Sequence, residues 1–210
     1  MNFLITGTDT GVGKTYVGCG LISALRKSGR RAIGLKPFSS GCQDDVEAIM
    51  AANERAVPLH VVNFVSFRPP LAPYAAALVE NRGFDLVAAK ATFAAIQCQF
   101  SPILVEGAGG LLVPILRDYD FGDLAAEWDL NLIIVAANRL GVLNHCRLTV
   151  EVAQRRGLSI SAVVLNELDD ETDAARQTNP SILEDLLEKP VKRLAYGATD
   201  FGAVIEQLGV

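Results

Sequence analysis

Four places in the 210-residue sequence hold side chains whose types and spacing could do chemistry. The first is Gly11-Val12-Gly13-Lys14-Thr15, reached from the apolar run Phe3-Leu4-Ile5 through Thr6-Gly7-Thr8-Asp9-Thr10. A buried strand that breaks into a glycine-bearing loop just before a helix makes a nest of backbone N–H groups for an anion, and the helix adds the positive end of its dipole. Lys14 brings a point charge to the β- and γ-phosphates of a nucleotide, and Thr15 a hydroxyl ligand for Mg2+. In the general pattern the first glycine falls where Thr8 stands, with Gly7 one residue early, so the loop is a variant phosphate cradle.

The other three places are charged residues at element ends. Lys36 closes an apolar strand over 31–36, and open α/β sheets gather ligands at the C-terminal ends of their strands. Asp44 and Asp45 open an amphipathic stretch carrying Val46, Ile49 and Met50; one acid there can cap the helix while the other faces a metal. Glu106 ends the apolar strand Pro102-Ile103-Leu104-Val105 and is followed by Gly107-Ala108-Gly109-Gly110. An acid at that position, on a strand beside the cradle, reaches a phosphate-bound Mg2+ directly or through water.

These residues need a scaffold, and the hydrophobic pattern supplies one. Helices are expected over 14–28, from Asp44, over 74–81, over 85–99, over 121–129 and through Arg156, with Trp128 serving packing. Prolines 58, 69, 70 and 73 mark 57–73 as an irregular loop bordering the site. Further strands are expected over 130–136 and 160–165, the second ending at Asn166, whose amide can pair with the donor and acceptor edge of an adenine. Thr178-Asn179-Pro180, a helix over 181–188, a strand over 191–194 and a last helix from Thr199 complete the chain. Strand and helix alternate throughout. That pattern predicts one α/β domain over 1–210, a doubly wound, mainly parallel sheet of the P-loop nucleotide-hydrolase type.

Composition excludes several classes. Lys plus Arg number 19 against 24 Asp plus Glu, with no basic block to track a nucleic-acid backbone. His60 and His145 are the only histidines, too few for a histidine metal site or a Ser-His-Asp triad. Cys19, Cys42, Cys98 and Cys146 form no C-x-x-C pair and read as reduced thiols. With no leader-like start and no apolar run of bilayer length, a cytoplasmic protein without a membrane partner is expected.

The segments Gly7-Thr8-Asp9-Thr10-Gly11-Val12-Gly13-Lys14-Thr15, Lys36-Pro37-x-x-Ser40-Gly41, Val105-Glu106-Gly107-Ala108-Gly109-Gly110 and Gly141-x-x-Asn144-His145, in this order and over nearly the whole chain, resemble the dethiobiotin synthetase family. The resemblance implies an ATP- and Mg2+-dependent ligase of biotin biosynthesis that closes a ureido ring from 7,8-diaminopelargonic acid and CO2 or bicarbonate. It implies catalytic roles for Thr10, Lys14 and Lys36, and nucleotide binding by Thr10, Gly11, Val12, Gly13, Lys14, Thr15 and Asn166. It further implies metal binding by Thr15, Asp45 and Glu106, and substrate binding by Thr10, Lys36, Ser40 and Gly109. Val142, Leu143 and Asn144 would complete the substrate site from the neighbouring subunit of a homodimer. Septum-positioning switch ATPases resemble this chain in expected fold, but their variant loop carries a lysine where Asp9 stands. An amidotransferase-type synthetase would need a glutaminase domain for which the chain has no room.

Overall fold

The computed structural model describes all 210 residues, Met1–Val210. Its centre is a parallel six-stranded sheet in the order β10-β9-β8-β1-β5-β2, built from β1 (Asn2–Gly7), β2 (Ile33–Leu35), β5 (Ile103–Gly110), β8 (Leu130–Ala137), β9 (Ile160–Asn166) and β10 (Val191–Leu194). The inner strands read as continuous apolar runs because helices cover both faces. On one face α1 (Lys14–Lys27) and α9 (Gly202–Leu208) bury Val17, Leu21, Ile22, Leu25, Val204 and Leu208 against Phe3, Ile5, Leu104 and Val164. On the other, α5 (Leu86–Gln97), α6 (Phe121–Glu127), α7 (Val142–Arg155) and α8 (Ala174–Leu187) cover Leu4, Val105, Leu132 and Leu165. Adjacent strand residues thus feed opposite cores, as a period of two requires. Trp128 packs as expected, stacked on Phe93 with ring centroids 4.5 Å apart. No helix is long and apolar enough to cross a membrane.

Four segments differ from the sequence expectation. Residues 57–73 are not irregular throughout: they hold α3 (Leu59–Val62) and β4 (Val65–Phe67), the latter pairing in parallel with β3 (Phe38–Ser40). Strands of three residues are too short to show a period, and the flanking prolines hide them. Between β5 and α6 lies an unanticipated hairpin of β6 (Pro114–Leu116) and β7 (Tyr119–Asp120). The helix expected over 181–188 begins at Ala174 and carries Pro180 inside it. A proline there has no N–H for the carbonyl four residues back, Arg176. The Asn138 amide takes that place, donating to the Arg176 carbonyl at 2.9 Å, so the helix continues across the proline. The last helix starts at Gly202 rather than Thr199.

Candidate active site

Sheet order brings the chemistry together. β1, β5 and β2 are neighbours, so the cradle after β1, Glu106 within β5 and Lys36 just after β2 lie side by side; the strand expected to end at Glu106 runs on to Gly110. The remaining acid arrives on α2 (Asp44–Ala52), which packs Val46, Ile49 and Met50 next to α1.

The cradle needs its glycines. Gly11 and Gly13 have φ of +74° and +92°, the left-handed region that side chains rarely adopt, and Gly13 caps α1. At Gly7 a Cβ would lie 2.6 Å from the Asp9 carbonyl, 2.9 Å from the Gly109 carbonyl and 3.0 Å from Lys14 Nζ. Only glycine lets the loop fold back over its own strand here. Lys14 is buried and donates to the Asp9 carbonyl at 3.0 Å. Burial, and after it the nearby Lys36 ammonium, lowers the Lys14 pKa below the usual lysine value.

Beside the cradle the Thr15 hydroxyl lies 2.9 Å from Asp45 Oδ1 and 2.9 Å from Glu106 Oε1. The Lys36 ammonium lies 2.5 Å from Glu106 Oε1 and 3.1 Å from Asp45 Oδ2, and donates to the Gly107 carbonyl at 3.2 Å. Glu106 and Lys36 are 2% and 4% exposed, so this pair is inside the protein. Burial alone would lower the Lys36 pKa, but the Glu106 and Asp45 carboxylates outweigh it and hold the ammonium above its ordinary value. Asp45 is pulled the other way: burial pushes its carboxyl up, while Lys36, the Thr15 hydroxyl and Lys14 together bring it below the usual carboxylate range.

The donor set suits a hard cation. Two carboxylates and a hydroxyl converge, and Glu106 Oε2 is buried without a hydrogen-bond partner. Nowhere do three His, Cys, Asp or Glu side chains gather into a metal cluster. Mg2+ demands no such cluster, since it is commonly held by one or two carboxylates together with substrate phosphates. Of the two acids open at the α2 start, Asp45 turns to Thr15 and Lys36. Asp44 is exposed, and it does not cap the helix as expected: the N-cap position is Gln43 and no side-chain capping bond forms.

In front of these groups opens a cavity of about 590 Å³ lined by Thr10, Gly11, Gly13, Lys14, Thr15, Lys36, Ser40, Asp45 and Gly109 among others. Nine of the residues singled out from the sequence therefore share one wall. The structure adds Phe38, Ser39, Cys42, Ala108 and Val113, and Pro70-Leu71-Ala72 bring the proline-rich segment to the rim, as expected. Asn63 was not foreseen either. Its amide donates to the Lys36 carbonyl at 2.6 Å, and the Lys36 N–H donates to Val62, so this segment fixes the lysine's backbone.

Six expected residues do not line the cavity. Val12 is buried, and Glu106 meets Thr15 and Lys36 from inside the protein. Asn166 ends β9 behind the cradle, its amide donating to the Val12 carbonyl at 3.1 Å while its Oδ1 is buried and unpartnered. Val142, Leu143 and Asn144 open α7; Val142 belongs to the core, Leu143 is half-buried and Asn144 exposed. Within one chain these three do not meet the substrate wall.

Fold and site together define an α/β P-loop nucleotide-binding protein. A family model described as an AAA domain matches residues 1–195. The chain is 37% identical over 210 residues to the ATP-dependent dethiobiotin synthetase BioD of Akkermansia muciniphila, covering 99% of each chain. It is 40% identical over 209 residues to the enzyme of the same name from Anaeromyxobacter dehalogenans strain 2CP-C, covering 98% of this chain and 94% of that one. The chain belongs to the ATP-dependent dethiobiotin synthetase family. Among solved structures it is similar in fold to the septum site-determining protein MinD complexed with Mg-ADP from Pyrococcus horikoshii OT3, with TM-score 0.56 at 16% identity over all of this chain and 86% of that one.

Proposed function

We propose that this chain is a ligase that uses ATP to close the ureido ring of dethiobiotin from 7,8-diaminopelargonic acid and CO2, in the cytoplasm and as a homodimer. The observation that carries the reading is the meeting of Lys14, Lys36, Thr15 and Asp45 on the wall of a single cavity, with the buried Glu106 in contact with Thr15 and Lys36. Thr15, Asp45 and Glu106 are the residues that would hold Mg2+. Held there, the cation would supply charge to offset the nucleotide's phosphates.

The rest is positioning by the chain's own groups. Thr10 and Ser40 line the cavity and hold the carbamate that forms when one substrate amine takes up CO2 and loses a proton. Lys14 and the cradle amides orient the γ-phosphoryl group for in-line attack by a carbamate oxygen, which releases ADP. No side chain acts as a nucleophile. The second amine attacks the carbonyl carbon of the resulting carbamic–phosphoric anhydride, phosphate leaves, and the ring closes. Asn166, with its acceptor oxygen free, reads the amino edge of adenine. The exposed Asn144 and half-buried Leu143 reach the substrate of the partner subunit.

The test is phosphate release from ATP and Mg2+ with and without the diamine plus bicarbonate, followed by mass analysis of the product. Release that depends on the diamine, with a product heavier by CO2 and lighter by water, is expected. Hydrolysis indifferent to the diamine would refute the ligase reading.

A further inference from the structure

Lys36 and Asp45 meet at 3.1 Å but come from different elements, the end of β2 and the first turn of α2. Their spacing depends on what holds those elements. β2 pairs with β5 only as far as Leu35, so Lys36 lies beyond the paired residues, and Pro37 after it has no N–H to anchor the turn. The α3–β4 segment takes both main-chain groups of Lys36 instead: the N–H donates to the Val62 carbonyl at 2.9 Å, and the carbonyl accepts from the Asn63 amide at 2.6 Å. The Phe64 and Val65 N–H groups close the clamp at the Pro37 carbonyl, 3.0 and 2.9 Å away. A flexible four-carbon stem is aimed only as well as the main chain it leaves from.

The same two residues reach α2. The Val62 side chain, wholly buried, packs with Val46, Ile49 and Met50. Asn63 Oδ1 lies 3.3 Å from the Ser39 hydroxyl, which is also 3.3 Å from Gln43 Oε1. Ser39 is buried, so water does not compete for these contacts. Gln43 is the N-cap residue of α2; its amide donates to Ser66 Oγ at 3.0 Å, and its carbonyl accepts the first helical bond, from Glu47, at 2.9 Å. A line of contacts thus runs from the Lys36 carbonyl through Asn63, Ser39 and Gln43 to the turn that carries Asp45.

We propose that Asn63 is a positioning residue of the reaction: through the Lys36 carbonyl on one side, and Ser39 and Gln43 on the other, it sets the separation of the Lys36 ammonium and the Asp45 carboxylate. The inference rests on the roles given above to Lys36 and Asp45. Asn63 does not line the cavity, so it acts only through these neighbours. Misplacing a reacting group by about 1 Å can cost about 10²-fold in rate, and losing a group that holds a metal ligand in place costs about 10–100-fold in metal affinity or activity.

The test compares the wild type with Asn63→Ala, Asn63→Asp and Gln43→Leu, each well below its melting temperature. Asp keeps the shape and the oxygen facing Ser39 but cannot donate to the Lys36 carbonyl. The readouts are kcat for diamine-dependent phosphate release, Mn2+ affinity with ADP present, followed by the paramagnetic resonance of the free ion, and metal-free ADP affinity by calorimetry. Both Asn63 variants are expected to lower kcat about tenfold or more and, like Gln43→Leu, to weaken Mn2+ binding about tenfold. Metal-free ADP affinity, set by the cradle and Lys14, should stay within about twofold of the wild type. A folded Asn63 variant with wild-type kcat and Mn2+ affinity overturns the inference, and so does a loss matched by an equal fall in metal-free ADP affinity, which marks a general loosening of the cavity. Should both Asn63 variants fail to fold, Gln43→Leu decides at the half-buried end of the line, where unchanged Mn2+ affinity overturns the inference. A wild type without diamine-dependent release refutes the ligase reading instead, a different result, and the Mn2+ comparison then decides alone.

Discussion

Replacing Glu106 with Gln is the sharpest test of the buried charge cluster. The amide keeps the shape and can still accept from Lys36 and Thr15, but the charge 2.5 Å from the ammonium is gone. Removing one member of a buried pair costs about 3–5 kcal/mol, because the partner is left uncompensated. Asp45 at 3.1 Å, with its side chain half exposed, and the Gly107 carbonyl soften the loss, which places the expected destabilisation near the lower end, about 3 kcal/mol. For a chain of this size each kcal/mol moves the melting temperature by roughly 2–4 °C, so a fall of about 6–12 °C is expected in a circular-dichroism melt. Diamine-dependent phosphate release should fall by about 10²–10³, the usual loss for one group that stabilises developing charge. The double variant Lys36→Met/Glu106→Gln removes both charges and should be more stable than the sum of the single changes by about 1–3 kcal/mol. A single variant melting with the wild type, or a double variant that is merely additive, would refute the cluster as a coupled unit.

Three further outcomes follow from Asn53 and the four cysteines. Asn53, wholly buried, accepts from the Gly34 N–H at 2.7 Å and donates to the Gly34 carbonyl at 2.8 Å; Asn53→Ala orphans both and should lower stability in urea by about 2–5 kcal/mol, against no change if water replaces the amide. Burial pushes the thiols of Cys19 and Cys146 from 9.0 up to about 12, with Glu106 and Asp45 adding to the effect at Cys19. Their contribution to stability is whole below pH 9 and is lost as pH rises through about 12, so melting temperature should decline over that window, less so in Cys146→Ala. At neutral pH a thiol reagent should titrate the exposed Cys42 and Cys98 quickly and the other two slowly; four fast thiols would contradict the burial.

The site was legible because chemistry in an α/β sheet is written at strand ends. Gly13-Lys14-Thr15, Lys36 and Glu106 each follow an apolar run, and the sheet order places those three runs side by side, although β5 continues past Glu106 to Gly110. What stayed hidden depends on partners distant in sequence. Asn63 holds the Lys36 backbone from 27 residues away, inside a segment whose prolines read only as loop. Pro180 signals a helix break in every local rule, and nothing near it reveals that Asn138, more than forty residues earlier, supplies the missing donor. The choice between Asp44 and Asp45 turned on which side of the first helical turn faces Thr15, a rotation that two adjacent acids do not disclose.

The Asn53 amide has a meaning for how copies of the chain can associate. β2 is one outer strand of the central sheet, and an outer strand presents main-chain groups to any strand that comes alongside. Asn53 fills both positions at Gly34, and Val62 accepts the Lys36 N–H just beyond. At the opposite margin Pro190 has no N–H to offer, and the Val191 N–H is taken by Glu184. At these positions neither margin offers its main chain to a second sheet. A second copy pairing strand to strand at Gly34 or Val191 would first have to displace the Asn53 amide or the Glu184 carboxylate.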